Sequence, residues 1–122
     1  MDPMIDRAAV LDRVGDDEEL LCEITSIFLA EYPCLVDEIR TAVGSRDAKR
    51  LERAAHSLKG AVSNFGAQAA TDAAYRLERM GRTQEMAQAA EALDELLLQF
   101  QRLRPELEAL SGQGAIVSSF TL

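Results

Sequence analysis

The sequence contains little of the chemistry on which metalloproteins and disulfide-stabilised domains depend. Its 122 residues include one histidine, two cysteines and no tryptophan, and only 5% are aromatic. Cys22 and Cys34 fall on one predicted helix, where a rise of about 1.5 Å per residue separates them by roughly 18 Å, too far for a disulfide. With one histidine and two such cysteines there is no zinc spacing, so we expect no metal site, and both thiols should be small buried hydrophobes.

Other absences limit the class of protein further. No apolar run is long enough to span a bilayer, and the start, MDPMIDRAAV, lacks the basic and apolar blocks of a signal peptide. We therefore expect a cytoplasmic protein without membrane insertion. The net charge of -8 repels phosphate backbones, which argues against nucleic acid as a partner. No glycine-rich phosphate loop is present, so ATP binding is not expected.

What remains is a series of amphipathic helices rich in leucine and alanine. The spacing of apolar residues predicts helices over about 5–14, 16–43, 47–64, 67–80 and 84–110. Pro33 lies inside the second and should kink it without splitting it, because the apolar stripe resumes in phase. The expected boundary residues are Gly15, Asp16 or Asp17, Gly44 in a left-handed conformation, Asp47, Gly66, Gly81 as the stop of the fourth helix and Thr83 as the cap of the fifth.

Short connections between such helices predict an all-α fold. We expect an antiparallel up-and-down four-helix bundle with a short extra N-terminal helix. The bundle domain is predicted to span residues 1–110. Residues 111–122 have no helical period and are predicted to be a flexible C-terminal tail.

The only histidine, His56, lies on the polar side of the third predicted helix. At about 100° per residue, Leu51, Leu58 and Val62 cluster toward the core, and His56 lies about 160° from Leu58. The imidazole should therefore point to solvent. The same polar face carries the residues expected to meet a partner, which are Lys49, Glu52, Arg53, Lys59, Gly60 and Ser63.

Gly60 distinguishes His56 from an ordinary surface histidine. A glycine inside a helix costs about 1 kcal/mol relative to alanine, and the apolar stripe continues beyond it, so a cap or turn does not explain it. Four residues after His56 it is a direct surface neighbour, and with the small Ser63 it leaves a shallow notch beside the imidazole. On the other flank, Lys59 can donate to the oxygens of a phosphate attached to the ring.

The charge distribution favours a macromolecular partner for this face. Arg46 to Lys59 contains five basic and two acidic residues, a net of +3, which leaves -11 for the rest of the chain. A basic face on an acidic body would orient an acidic partner toward His56. An exposed imidazole is a nucleophile, but the orienting acid, oxyanion site and pocket of a hydrolase are not visible. These features fit a protein that accepts a phosphoryl group from one macromolecule and gives it to another.

The segment HSLKG, followed by Gly66, has the pattern H-x-L-K-G-x-x-x-x-x-G and resembles the histidine-containing phosphotransfer (HPt) domain of bacterial multistep phosphorelays. The likeness extends in pattern over roughly residues 5–107, through the helix order, Pro33, the GSRD turn and RLERMGR. The family implies a four-helix bundle whose second core helix presents the phosphorylated histidine.

The resemblance implies a role for each matching residue. His56 would be the phosphoacceptor, Lys59 would steady the phosphoryl group, and Gly60 would give the partner access. Glu78 occupies a position that often faces the histidine, where the family often has a neutral or amide side chain. Here Glu78 would pair with Lys59 or face solvent.

The implied reaction is reversible transfer between a receiver aspartate and His56, with Nε2 as the expected acceptor because the helix crowds Nδ1. Mg²⁺ would be held by the response-regulator receiver, so this chain would need no cofactor of its own. It would be a stoichiometric carrier, not an enzyme, and we expect a monomer. A dimerising histidine-kinase segment fits less well, because Ser57 stands where that class has an acidic residue.

Two other functions are compatible with the sequence. A helical adaptor without covalent chemistry predicts that His56→Gln is tolerated. A phosphotransfer module of a chemotaxis-type kinase predicts phosphorylation by an ATP-binding domain in the same chain. Within the phosphorelay interpretation, both a free-standing carrier and a C-terminal module of a hybrid sensor kinase fit.

Overall fold

The computed structural model describes residues 4–112, and this part of the chain is all helical, as predicted. A short N-terminal helix precedes four longer ones, which also agrees with the prediction. Pro33 lies inside the second helix without ending it. The helices are α1 (Arg7–Arg13), α2 (Glu18–Ser45), α3 (Ala48–Ser63), α4 (Gln68–Thr83) and α5 (Ala89–Ser111).

Side-chain caps begin α2 and α3 as the sequence predicts. Asp17 accepts a hydrogen bond from Leu20 N at 3.0 Å, and Asp47 accepts one from Arg50 N at 3.1 Å. Each bond satisfies a backbone donor that the first helical turn leaves unpaired. These two caps fix where α2 and α3 start.

The predicted ends of α2 and α4 are wrong. Gly44 and Gly81 both lie inside their helices, and the left-handed residues are Arg46 (φ +55°) and Gln84 (φ +59°). In both cases the next N–H reaches back five residues, Asp47 to Ala42 O and Glu85 to Met80 O, which closes a Schellman motif without glycine. Thr83 caps nothing, because it is the last residue of α4 and donates to Arg79 O.

The core lies between the four long helices. Helix α2 packs against α3 and α5, and α4 packs against the same two, while α1 lies against α2. Although aromatic residues are scarce, four of the six meet in this core, with ring centroids 5.1–6.4 Å apart. They are Phe28, Tyr32, Phe65 and Phe100.

The cysteines and the end of α5 both differ in part from the sequence predictions. Both cysteines are free; Cys22 is half-buried, with Sγ donating to Leu110 O, whereas Cys34 is exposed, so the prediction of burial is wrong for Cys34. Helix α5 continues to Ser111, one residue into the predicted tail, and Gly112 ends it. The rest of that predicted tail, residues 113–122, lies outside the described residues.

Candidate functional site

His56 points away from the core, as predicted from the helical wheel. Its side chain is 68% exposed, whereas Leu51, Ala55 and Leu58 on the opposite side of α3 are fully buried. Burial of that apolar side fixes the rotation of α3. The imidazole is therefore held in solvent near the middle of a helix whose backbone is rigidly packed.

The surface beside the imidazole is open at Gly60. A Cβ atom built on Gly60 would meet no heavy atom within 4 Å, so the space there is free. Ser63, one turn further, folds back on the helix, because its Oγ donates to Gly60 O at 2.9 Å. The predicted notch is thus lined by a residue without a side chain and by a short one turned inward.

Beneath the imidazole lies Glu78 of α4, a carboxylate that is only 1% exposed. Its Oε2 is 3.3 Å from His56 Nδ1 and 2.7 Å from Arg82 Nη2. The Lys59 ammonium is 2.7 Å from Oε1 in an ion pair and donates to Oε2 at 3.3 Å. Of the two alternatives left by the sequence, Glu78 therefore pairs with Lys59 and does not face solvent.

The contact with Glu78 assigns the protonation of the imidazole. An ionised carboxylate only accepts hydrogen bonds, so the hydrogen of the neutral ring must reside on Nδ1. Nε2 then carries the lone pair, on the exposed side of the ring. The expected acceptor, Nε2, is thus the free nitrogen because Glu78 engages Nδ1, and not merely because the helix crowds it.

Glu78 is held in its charged form by its neighbours. Burial raises the pKa of Glu78, but hydrogen bonds and charges from Lys59 and His56 outweigh it and keep the pKa below its ordinary value. At neutral pH the site therefore contains a buried anion under an exposed imidazole. An anion in this position can stabilise positive charge that develops on the ring.

Lys59 has two partners besides solvent. In addition to Glu78, its ammonium lies 5.0 Å from the centroid of the Tyr75 ring, within the range of a cation–π contact. The side chain is 27% exposed, so the ammonium can still reach solvent beside His56. Lys59 is consequently shared between the buried carboxylate, the aromatic ring and the open surface.

Arg82 links the two helices that build the site. Its Nη2 donates to Glu78 on its own helix, and its Nε donates to Glu52 Oε2 of α3 at 3.2 Å. Glu52 precedes His56 by one helical turn, so this contact ties α4 to the helix that carries the histidine. Glu52, expected to face a partner, is instead half-buried and engaged with Arg82.

The close approach of α4 to α3 depends on Gly81. A Cβ atom at this position would lie 2.6 Å from both Ala48 O and Glu52 N, distances that real atoms do not adopt. Gly81 is buried and lets the two backbones touch. Glu78, one turn before it, is thereby brought under His56.

The remaining residues predicted to meet a partner lie on the exposed face of α3. Lys49 and Arg53 are both exposed. Arg53 borders a shallow depression between α2 and α3, next to an exposed ion pair in which Arg50 donates twice to Glu38 at 2.8 Å. That pair neutralises one of the five basic residues of the segment, so the basic character around His56 is weaker than the sequence suggests.

Arg82 and Tyr75 are the site residues that the sequence analysis missed. For Arg82 a signal existed, because Glu78 and Arg82 are four residues apart with the acid first, the favourable order on a helix. Tyr75 had no comparable signal, since its role depends on where the Lys59 side chain reaches.

Fold and site together define a class of protein, a helical bundle that presents one exposed imidazole above a buried ionic cluster. A family model described as "Hpt domain" matches residues 23–112. The chain belongs to the Hpt domain family, which implies histidine phosphotransfer in phosphorelays and interaction with response-regulator receivers. Searches of the curated proteins and of the solved structures gave no match.

Two further observations concern the described residues 4–112. None of their His, Cys, Asp and Glu side chains form a group of three or more that could hold a metal ion. No helix among them combines the length and the apolar character that crossing a membrane requires.

Proposed function

We propose that this chain is a stoichiometric phosphoryl carrier, in which His56 Nε2 reversibly accepts and donates a phosphoryl group between the aspartates of receiver domains. The observation that carries the proposal is the state of the imidazole: 68% exposed, with Nδ1 bound to Glu78 and Nε2 free. Family membership supports the class of reaction. The geometry supports the particular atom.

The scaffold of this carrier is proposed to be an antiparallel up-and-down four-helix bundle formed by α2 to α5. Contacts between successive helices support it, because they join a late residue of α2 to an early residue of α3 and an early residue of α3 to a late residue of α4. Examples are Glu38 with Arg50 and Glu52 with Arg82. In such a bundle the middle of α3 lies on the outside, where a partner can reach it.

The transfer step balances without any proton leaving the ring. The Nε2 lone pair attacks the phosphorus of the aspartyl phosphate, and the bond from phosphorus to the aspartate oxygen breaks with its electron pair on the carboxylate. Nδ1 keeps its hydrogen, so the phosphorylated ring is cationic. Glu78 accepts from Nδ1–H, and its negative charge stabilises that cation. The reverse reaction uses the same contacts.

Lys59 and Gly60 would serve the incoming group and its carrier. The Lys59 ammonium neutralises charge on the phosphoryl oxygens, since phosphoryl transfer depends mainly on positioning and electrostatics. The open space at Gly60 admits the loop of the receiver and is bordered by Ser63, while Arg53 and Lys49 lie on the exposed surface of α3 toward its N-terminus. Mg²⁺ would be supplied by the receiver, so the chain itself would need no cofactor. We propose that it acts as a monomer.

Incubation with a phosphorylated receiver tests the proposal. Wild-type protein should acquire acid-labile, base-stable label, and His56→Gln should acquire none while remaining folded. Ser57→Ala, a change at the adjacent exposed position, is the matched control and should be labelled like the wild type. An unlabelled wild type, or label that persists in His56→Gln, would contradict the proposal and favour a non-covalent helical adaptor.

A further inference from the structure

Lys59 is not free to meet a phosphoryl group in the resting site. Its ammonium lies 2.7 Å from Glu78 Oε1, and Glu78 is only 1% exposed. If Lys59 moved to a phosphoryl oxygen, this carboxylate would lose a counterion in a place where water does not replace it. Uncompensated buried charge is costly, and the imidazole becomes cationic only as the phosphoryl group is transferred, so before that step a second cation must stay beside Glu78.

Arg82 has the contacts of that second cation. Its Nη2 donates to Glu78 Oε2 at 2.7 Å, a short charge-assisted hydrogen bond, whereas the Lys59 ammonium donates to Oε2 at 3.3 Å and lies 2.7 Å from Oε1. Its Nε is held by Glu52 of α3, which fixes the guanidinium in place. Both cations lie 2.7 Å from a Glu78 oxygen, but Arg82 bridges two carboxylates, whereas Lys59 is paired in the described part of the chain with Glu78 alone. Lys59 is therefore the cation that can exchange.

We propose that Arg82 is a positioning residue for phosphotransfer, which keeps Glu78 neutralised so that the Lys59 ammonium can move to the phosphoryl group. The inference rests on the proposed function and adds a residue outside the HSLKG segment. The fork of arginine suits this role, because Nε and Nη2 hold Glu52 and Glu78 at the same time. A lysine at position 82 could not hold both carboxylates in this geometry.

The test measures the rate of phosphotransfer from a phosphorylated receiver to single and double variants of the full chain. Arg82→Gln should slow transfer about tenfold, the size expected when one charge-assisted contact is lost at the transition state. The matched control is Arg76→Gln, which removes the same charge from an exposed position of α4 that faces away from Glu78. It should transfer at the wild-type rate.

Two double variants separate positioning from a structural role. In a Glu78→Gln background, Arg82→Gln should have no additional effect, because the buried carboxylate that Arg82 neutralises is gone. In a Lys59→Ala background, Arg82→Gln should have no additional effect, because Arg82 acts through Lys59. Damage to the helix packing would instead slow transfer further in both backgrounds.

The outcomes also separate this inference from the proposed function. If the wild type takes no phosphate, the proposed function fails. If the wild type is phosphorylated but Arg82→Gln transfers equally fast, only the role of Arg82 fails. The same conclusion follows if Arg82→Gln is slow and the loss is undiminished in both double variants.

Discussion

Two glycines lie inside helices on either side of the α3–α4 contact, and their surroundings are opposite. Gly60 faces solvent, where an added Cβ would meet nothing within 4 Å. Gly81 faces α3, where an added Cβ would lie 2.6 Å from the backbone at Ala48 and Glu52. The missing side chain therefore opens the surface to another molecule in one case and closes the distance between two helices in the other.

The comparison shows how one site is built from both sides. On the outside, Gly60 leaves the approach to His56 free. On the inside, Gly81 lets α4 come close enough for Glu78 to bind Nδ1 of the same imidazole. Access to Nε2 thus depends on Gly60, and the contact of Nδ1 with Glu78 depends on Gly81. The two glycines act through different contacts.

Gly81→Ala should have the largest effect on stability. The new methyl group would overlap backbone atoms, which cannot rotate away, so we expect destabilisation by about 3 kcal/mol, at the upper end of the usual range for overpacking. The gain of about 1 kcal/mol in helix propensity offsets only part of this. The measurement is the free energy of unfolding of the variant and of the wild type from urea denaturation. The two values are compared directly if the dependence of the free energy on urea concentration has the same slope in both proteins.

A second measurement on Gly81→Ala tests the link to the site. Displacement of α4 should move Glu78 away from His56, so the two ring nitrogens should lose their fixed tautomer in ¹⁵N NMR spectra. Unchanged stability together with an unchanged tautomer would show that the helices do not need this close approach. The contrast drawn between Gly60 and Gly81 would then be wrong.

The two glycines also mark what a sequence can and cannot predict. The exposure of Gly60 was predicted correctly, because the apolar stripe of a single helix fixes which side of α3 faces solvent. Gly81 was taken as a helix stop, since nothing in the periodicity of α4 reports how near another backbone lies. Gly44 was misplaced for a different reason, because the left-handed residue is Arg46, held there by the immediate start of α3 at the Asp47 cap.

The site itself was predictable to the extent that it depends on one helix. His56, Lys59, Gly60 and Ser63 share a face of α3, and their exposure follows from the buried leucines opposite. Glu78 was named through a resemblance, but its burial and its bond to Nδ1 depend on the packing of α4. Arg82 depends on that packing twice, through both carboxylates.

Glu78→Gln tests the buried side of the site and should change stability less than Gly81→Ala does. Because the folded pKa of Glu78 lies below its ordinary value of 4.5, its ionised form stabilises the fold above that pH, and the contribution is lost as pH falls through the folded pKa. The variant should be less stable than wild type at pH 7 by about 1 kcal/mol. The loss is no larger because Lys59 and Arg82, the cations left without the carboxylate, are partly exposed to solvent.

The measurement for Glu78→Gln is the free energy of unfolding between pH 7 and pH 3. The difference from the wild type should shrink once the pH drops below 4.5. Glu31→Gln, at an exposed position of α2, serves as the control for removing one negative charge. A difference that stays constant across this range would mean that ionised Glu78 contributes nothing to stability.

Gly60→Ala should change stability least and yet impair the proposed function. With nothing near the new methyl group, the fold should be unaffected or gain up to about 1 kcal/mol from helix propensity. Transfer from a phosphorylated receiver should slow, because the methyl group occupies the notch where the partner approaches, and Gly60→Leu should slow it further. Phosphorylation by a small donor such as phosphoramidate should proceed at the wild-type rate, since a small molecule reaches Nε2 without using the notch. If Gly60→Ala and Gly60→Leu both accept phosphate from the receiver as fast as the wild type does, Gly60 does not provide access. Its place beside His56 would then need another explanation.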